Sequence, residues 1–336
     1  MKARAWLAAL VASVACGRPT PATPRSEAAT VVDLHVDLGD AIHHRGATLA
    51  SPDLDANEER LVRGGVTALV VPLFVPEAEQ LAASDVLAEY DAIWLDVERA
   101  RRSSSWRGEI VYAFEGADGF VDEPSALVRF AARGACLVGL VHRRTNALAG
   151  ASQEPSSQER ARGLTDVGER VARAAVAAGM VLDVAHASDA AFDAIAAIAE
   201  AAGRPFVDSH TGVRALVPID RNLDDARIAR VARSGGLVAI DLHGGHVSHA
   251  AGEPPTLDDV ADHVMHALTV AGDRHVAIGS DLAGNIESPT VHGVSGAAIF
   301  PLLRAHLAAR GVSAATLDRV FAANARELLA GCPRRR

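Results

Sequence analysis

Short apolar segments alternate with longer amphipathic segments along most of this chain. The apolar segments are nearly continuous in Val, Ile, Leu and Ala, which is typical of parallel strands covered on both faces. We predict eight strands, at residues 31–37, 67–75, 109–116, 136–142, 180–186, 204–210, 236–242 and 275–281.

The amphipathic segments predict helices between these strands, at residues 79–102, 165–178, 188–202, 223–234 and 256–271. Thr165 and Ser188 stand where N-caps are expected, and Gly179 and Gly203 stand where helices should end. Residues 295–331 are long enough for the eighth helix of the repeat and an extra C-terminal helix. Eight strand–helix units favour an α/β fold, a (β/α)8 TIM-type barrel, as a single domain at residues 31–332.

The placement of ionisable residues separates this barrel from the alternative, a doubly wound open sheet. No glycine-rich phosphate-binding fingerprint follows the first predicted strand. Ionisable residues stand at or near the C-terminal ends of six of the eight strands: Asp37, Glu115, His142, His186, His210 and Asp281. A barrel gathers all strand ends around one mouth, whereas an open sheet spreads them along an edge. The pattern therefore favours the barrel.

On the first predicted strand, VVDLHVD, His35 and Asp37 share one face because strand side chains alternate. Glu115, His186 and His210 end other strands, so three imidazoles and two carboxylates point at one cavity. Burial of these groups without compensating charge would be costly. Imidazole and carboxylate together suit zinc or a similar first-row ion. Five ligands exceed the needs of one tetrahedral ion, whereas two ions that share one carboxylate use all five.

Lysine is absent from the predicted barrel, since Lys2 is the only lysine in the chain. Many two-metal barrel hydrolases resemble the amidohydrolase superfamily, with His-x-His on strand 1 and a carboxylated lysine between the metals. This chain has His-x-Asp at that place and no lysine to carboxylate. A carboxylate must bridge the metals instead, and Glu115 is the candidate.

Several segments resemble, in order, the motifs of the membrane (renal-type) dipeptidase family. They are DLHVD at 33–37, FEGAD at 114–118, LVHRRTNALAG at 140–150, DVAHAS at 183–188, SHTGVRALVPIDRNLDD at 209–225 and IGSDLAG at 278–284. The resemblance runs over about residues 31–330, the whole predicted barrel. Two departures lie beside the motifs: Ala283 stands where a second Asp is usual, and Thr211-Gly212 replaces a Ser pair.

The resemblance implies a zinc dipeptidase on a barrel of the metallo-dependent hydrolase type. It implies that one zinc is bound by His35, Asp37 and Glu115. It implies that the second zinc is bound by Glu115, His186 and His210. A hydroxide between the two metals would be the nucleophile, and the family also suggests a homodimer.

Three further residues take roles from the same resemblance. His142 would polarise the scissile carbonyl and stabilise the oxyanion. Arg221 would hold the free C-terminal carboxylate of a dipeptide, and Asp281 would carry protons at the bridging water. Two other functions stay open: a related barrel amidohydrolase acting on N-acyl amino acids or lactams, and a non-catalytic binding lipoprotein. The binding lipoprotein predicts loss of metal ligands or of Asp281, and all of them are present.

The N-terminus predicts export. In residues 1–16, Lys2 and Arg4 precede an apolar run too short to span a bilayer, and Cys16 follows small residues. This resembles a bacterial lipoprotein signal, with a lipid on Cys16 as the membrane anchor; a cleaved secretory signal is the alternative. Residues 17–30 are Pro/Thr-rich and polar, as in a linker. A formal charge of −9 offers no footprint for nucleic acid.

The remaining chemistry-bearing residues mostly have ordinary interpretations. Cys136 falls in a predicted strand and Cys332 in the terminal tail, so a disulfide between them is possible but not indicated, and we expect a buried thiol and a surface thiol. We expect solvent-facing side chains at His263, His266 and His306. Substrate contact is open for His43, His44, His243, His246 and His249. A role in orienting a metal ligand is open for Asp33, Asp183 and Asp208.

Overall fold

The structure, a computed structural model, describes residues 30–250, 252–284 and 286–334. Its strands close into a parallel barrel in which each strand pairs with its neighbours in chain order, so the predicted (β/α)8 fold is confirmed. The strands are β1 (Val31–Asp33), β2 (Val66–Leu73), β3 (Glu109–Glu115), β4 (Ala135–Gly139), β5 (Val181–Asp183), β6 (Phe206–Thr211), β7 (Val238–Ile240) and β8 (Val276–Ile278). The predicted signal peptide and nearly all of the predicted linker lie outside the described residues.

Helices surround the barrel. They are α1 (Leu38–His43), α2 (Glu58–Arg63), α3 (Ala83–Ser103), α4 (Leu127–Ala132), α5 (Ser157–Arg160), α6 (Asp166–Ala177), α7 (Asp189–Ala201), α8 (Asp225–Arg233), α9 (Gly244–Val247), α10 (Leu257–Ala271), α11 (Phe300–Ala309), α12 (Ala314–Asp318) and α13 (Asn324–Ala330). The predicted caps are confirmed, because Thr165 and Ser188 accept hydrogen bonds from the third residues of α6 and α7. Within the described ranges, no helix has the length and hydropathy needed to cross a bilayer.

Several strands end earlier than predicted. β1 ends at Asp33 and β8 at Ile278, where the sequence pattern predicts ends at residues 37 and 281. The chain beyond these ends turns sharply: His186 and Asp281 have φ angles of 64° and 62°. Left-handed backbone at non-glycine residues costs free energy and is concentrated at functional sites. The polar residues at the barrel mouth therefore lie mostly on turns that follow the strands.

The C-terminal helices close the opposite end of the barrel. Ala322 and Ala325 pack into a buried cluster with inward-facing strand residues such as Val32 and Val70. The Asn324 amide donates hydrogen bonds to two backbone carbonyls at the start of β8, at 2.8 Å each. The predicted extra C-terminal helix is thus confirmed. It fills the N-terminal end of the barrel and leaves the C-terminal end of the strands for a site.

Cys136 and Cys332 form a disulfide, with their Cα atoms 5.3 Å apart. The expectation of two free thiols is therefore wrong. Cys136 is buried on β4, and the tail after α13 returns beneath the barrel to reach it. The two residues are 196 positions apart, so only the tertiary fold brings them together. Disulfides persist mainly in oxidising compartments.

Candidate active site

The five predicted metal ligands converge at the C-terminal mouth of the barrel. His186 Nε2 lies 2.9 Å from His210 Nε2 and 3.0 Å from Glu115 Oε1. On the other side, His35 Nε2 lies 3.2 Å from Asp37 Oδ1 and 3.5 Å from Glu115 Oε1. The Glu115 carboxylate thus lies between a His186–His210 pair and a His35–Asp37 pair.

The lone pairs of these five side chains are arranged as a metal ion requires. His35 Nε2 and Asp37 Oδ1 are buried and, among the described residues, have no partner in good hydrogen-bond geometry. His186 Nδ1 lies 2.7 Å from the amide oxygen of Gln153, so that nitrogen carries the proton. The lone pair of His186 Nε2 then points toward Glu115 and His210 Nε2. Buried lone pairs that face one another are a donor set for a cation such as zinc.

The electrostatics of the buried group support the same conclusion. Burial lowers the pKa of His186 and of His210, so both imidazoles are neutral, the form that binds a metal. Burial raises the pKa of Glu115 to about 8. Burial opposes charge on His35, but the Glu115 and Asp37 carboxylates outweigh it and raise the pKa of His35 to about 10. His35 therefore holds a proton beside the two carboxylates. A bound metal cation would supply the same positive charge in its place.

Side chains behind the ligands hold them in place. Ser209 Oγ lies 2.9 Å from His210 Nδ1 and 3.4 Å from His35 Nδ1. Asp33 accepts hydrogen bonds from the Ser280 amide (2.8 Å), the Ser280 hydroxyl (2.5 Å) and the His35 amide (3.3 Å). Asp33 thus fastens the end of β1 to the end of β8 and fixes the backbone of His35.

Asp183 and Asp208 also act on the backbone. Asp183 Oδ1 accepts from the amides of Ala185 and Ser209 at 3.1 Å each, and Asp208 Oδ1 accepts from the His210 amide at 3.4 Å. Within the described part of the chain, neither carboxylate has a hydrogen bond to the imidazole ring of a predicted metal ligand. They position the turns that carry His186 and His210.

His142 and Asp281 lie on the wall of a cavity of about 260 Å³ that also exposes Asp37, Glu115 and His186. Burial lowers the pKa of His142 to about 3, so its ring is neutral. Burial first, and then the Asp37 charge, raise the pKa of Asp281. Asp281 Oδ1 lies 3.8 Å from His35 Nε2. Both predicted catalytic side chains therefore stand beside the predicted metal ligands.

Arg221 lies behind this cavity instead of on its wall. It is 4% exposed and donates through Nη2 to the backbone oxygen of His210. Its Nη1 is 3.9 Å from Asp208 Oδ1, and Nε and Nη1 have no hydrogen-bond partner among the described residues. The guanidinium is thus buried with donors to spare.

The other histidines divide between the cavity and the outer surface. His243 and His246 line the cavity, and His246 Nδ1 lies 2.7 Å from Asp241 Oδ2. His249 pairs with Asp259 at 3.1 Å, away from the predicted ligands. His266 and His306 are partly exposed and pair with surface carboxylates. His43 and His44 lie against α3.

The expectation for His263 is wrong. This residue on α10 is fully buried, and its Nδ1 accepts a hydrogen bond of 2.8 Å from the Val213 amide. Among cavity and supporting residues, sequence reasoning also missed Gln153 and Ser209. Ser209 could have been found from its position next to His210, whereas the loop around Gln153 carries no periodic signal.

Comparisons with known proteins give a family match. A family model described as membrane dipeptidase (peptidase family M19) matches residues 25–330. Dipeptidase verJ of Clonostachys rogersoniana is 27% identical over 307 residues, which cover 85% of this chain and 76% of that protein. Dipeptidase aclJ of Aspergillus oryzae (strain ATCC 42149 / RIB 40) is 31% identical over 179 residues, 53% of this chain. That match spans only 41% of the aclJ protein, and the match to dipeptidase ataJ of Aspergillus terreus spans 34%.

Solved structures share the fold. Dipeptidase AC, a metallopeptidase of family M19, superposes with a TM-score of 0.80 at 22% identity, covering 91% of this chain and 99% of that one. A metallopeptidase from Rhodobacter sphaeroides, liganded with a phosphinate mimic of the dipeptide L-Ala-D-Ala, gives a TM-score of 0.77 at 21% identity. That match covers 91% of this chain and 100% of the neighbour.

Proposed function

Because the chain belongs to the membrane dipeptidase family, peptidase family M19, we propose that it is a binuclear zinc dipeptidase. Its substrates are dipeptides with a free C-terminal carboxylate. The observation that carries this proposal is the position of the Glu115 carboxylate, between the His35–Asp37 pair and the His186–His210 pair. Two buried atoms of this group, His35 Nε2 and Asp37 Oδ1, have no hydrogen-bond partner among the described residues. The cavity is smaller than the roughly 300–1,000 Å³ typical of drug-sized ligand sites, which suits a small substrate.

The proposed ligands fall into two sets that share one carboxylate. His35 and Asp37 would hold one zinc with Glu115, and His186 and His210 would hold the other with Glu115. Bound zinc would supply a water of lowered pKa, about 7, and would polarise the scissile carbonyl. Ser209 and Gln153 fix the ring orientations of His210 and His186, as outer partners of metal-bound histidines do.

The chain's own side chains then handle the charge and the protons. His142 is neutral, so its N–H can donate a hydrogen bond to the oxyanion that develops on the scissile carbonyl. Asp281 accepts a proton from the attacking water and delivers it to the leaving amine. A raised pKa suits this task, because the carboxyl must hold the proton between the two transfers.

Arg221, which lies behind the cavity wall, would provide the positive charge for the substrate carboxylate. Its Nε and Nη1, buried without hydrogen-bond partners among the described residues, would suit a carboxylate that reached them from the cavity, since guanidinium pairs with carboxylate through two parallel hydrogen bonds. Burial first, and the Arg221 charge second, lower the pKa of His186, which lines the cavity.

A substrate panel tests both the reaction and the role of Arg221. We expect the zinc-loaded protein to hydrolyse dipeptides, including those with a D-residue at the C-terminal position, faster than matched dipeptide amides or N-acyl amino acids. In Arg221→Met, kcat/KM for the free dipeptide should fall about 10–100-fold, the loss expected for charged hydrogen bonds. Arg221→Lys should recover part of it.

The same panel contains the result that would refute the proposal. Turnover of N-acyl amino acids or lactams without turnover of dipeptides would assign the protein to the related amidohydrolases. If Arg221→Met still preferred free carboxylates over amides to the same extent, Arg221 would have no role in substrate binding. The proposed dipeptidase reaction would still stand.

The proposed location is the cell envelope, with a lipid on Cys16 as the anchor and secretion as the alternative. The Cys136–Cys332 disulfide supports an oxidising compartment. We expect membrane-bound protein to incorporate a fatty-acid probe, and Cys16→Ser to abolish the labelling and release the protein. Unlabelled wild-type protein in the soluble fraction would favour simple secretion. Association into a homodimer is part of the proposal and is checked by light scattering.

A further inference from the structure

A second group of histidines and carboxylates lies outside the catalytic cavity, between the end of α1 and α3. We call it the α1–α3 cluster; its members are His43, His44, Glu89 and Asp96. Glu89 and Asp96 are seven residues apart, which places them on one face of α3, two turns from each other. His43 is the last residue of α1 and His44 is its C-cap, and both imidazoles lie within 4 Å of a carboxylate on that face.

Hydrogen bonds fix the proton on each ring. His43 Nδ1 lies 2.7 Å from Asp96 Oδ2, and an ionised carboxylate only accepts, so Nδ1 carries the proton. His44 Nε2 lies 3.3 Å from the Phe74 backbone oxygen, which also only accepts, so Nε2 carries that proton. In the neutral form of each ring the remaining nitrogen, Nε2 of His43 and Nδ1 of His44, has a lone pair.

Both of these nitrogens lie near the same carboxylate oxygen. Glu89 Oε1 lies 2.9 Å from His43 Nε2 and 3.9 Å from His44 Nδ1. All three ligand atoms lie within 4.8 Å of one another. Three acceptor atoms this close together favour a positive charge between them.

A proton on His43 is the simplest such charge. Burial opposes it, but the hydrogen bonds to Asp96 and Glu89 prevail and raise the pKa of His43. That proton satisfies only the contact between His43 and Glu89. It leaves His44 Nδ1 at 3.9 Å from the carboxylate oxygen with no hydrogen between them, whereas a divalent cation would engage all three atoms.

We propose that the α1–α3 cluster binds a first-row divalent metal ion such as zinc, through His43 Nε2, His44 Nδ1 and the Glu89 carboxylate. Two imidazoles and one carboxylate, with water in the fourth position, match the ligand preference of zinc. Water has access, because the side chains of His43 and Glu89 are 19% and 38% exposed. Asp96 holds the His43 ring in the required tautomer, as carboxylates do behind metal-bound histidines.

This site is separate from the proposed catalytic centre and shares no ligand with it. Its ion would fasten α1, which begins directly after Asp37, to α3. It would also hold His44 against the backbone of Phe74, whose side chain lines the catalytic cavity. The site therefore acts on the stability of the cavity wall and not on the chemical step.

Metal counting tests the proposal. Full-length protein is stripped with a chelator, reloaded with Zn²⁺ or Co²⁺, separated from excess metal, and analysed for ions per chain. We expect His43→Gln and Glu89→Gln to hold one ion fewer than the wild type, with unchanged dipeptide turnover. His266→Gln is the matched control, because His266 is a surface histidine paired with the single carboxylate of Asp225, and it should lose nothing. Asp96→Asn should weaken the ion's affinity about 10–100-fold.

The measured quantity is the difference in metal ions per chain between the wild type and each variant. It therefore does not depend on the number of ions at the catalytic centre or on turnover. Equal metal content in wild type, His43→Gln and Glu89→Gln would overturn the site. Equal loss in His266→Gln would identify nonspecific surface binding and overturn it too. Glu89→Gln changes a partly exposed side chain on the long helix α3, so it keeps the test valid if a histidine variant fails to fold.

Discussion

Replacement of Glu115 with glutamine should abolish dipeptide hydrolysis and remove zinc from both halves of the proposed centre. Glu115 Oε1 lies 3.0 Å from His186 Nε2 and 3.5 Å from each of His35 and His210 Nε2. It is therefore the atom that both ligand pairs have in common. A neutral amide keeps the shape but removes the negative charge that balances two divalent cations, so each pair loses its shared ligand.

The expected loss in kcat/KM exceeds the roughly 10–100-fold that follows removal of an outer partner of a metal ligand. Zinc per chain and thermal unfolding provide readouts that do not depend on activity. Zinc should raise the melting temperature of the wild type, because it binds only the folded state, and should raise that of Glu115→Gln much less.

Glu109→Gln is the matched control for this variant. Glu109 begins the same strand, β3, but is exposed at the opposite end of the barrel. The same change in charge should there leave zinc content and turnover at wild-type values. Two zinc ions and full activity in Glu115→Gln would show that another group bridges the metals.

The barrel and the convergence of its polar residues could be predicted from the sequence, for one physical reason. Continuous apolar strands must be buried on both faces, and eight of them joined by helices close into a barrel. Charged residues are costly in such strands unless they share a compensating ion, so their position at the strand ends indicated a common site. His35, Asp37, Glu115, His186 and His210 lie together as this reasoning requires.

The local geometry could not be predicted, because it depends on neighbouring strands. The alternation of VVDLHVD predicts a strand through Asp37, but ladder pairing ends at Asp33 and only an isolated bridge joins Val36 to Leu282. The role of Asp33 was also open, because its hydrogen-bond partner Ser280 is 247 residues away. The Cys136–Cys332 disulfide depends in the same way on where the C-terminal tail lands.

His263 is a different case, since the sequence did contain the signal. Val260, Val264 and Ala267 are buried on α10, and His263 falls on the same helical stripe. The polar side chain of His263 suggested a position on the solvent-facing side of the helix. The Val213 amide, however, donates a hydrogen bond to this side chain, which offsets the cost of burying it. Periodicity was the better guide there than residue type.

Replacement of Asp281 with asparagine should lower kcat by about 10²–10⁴, the usual contribution of a general acid–base group, while zinc content stays at the wild-type value. Asparagine has the same shape but cannot accept and return the proton of the attacking water. It also suits the backbone: Asp281 has a φ of 62°, and asparagine is among the residues that adopt this left-handed conformation most readily. The variant therefore removes proton transfer with little change in structure.

A change of leaving group separates proton transfer from a structural effect. An amine can leave only after it is protonated, whereas the alkoxide of a matched depsipeptide leaves with much less help. If Asp281 delivers that proton, the asparagine variant should lose far less activity on the ester than on the peptide. Equal losses on both substrates would assign Asp281 to positioning alone. Loss of zinc from the variant would instead make Asp281 a metal ligand alongside His35 and Asp37, with which it forms a close group of donor atoms.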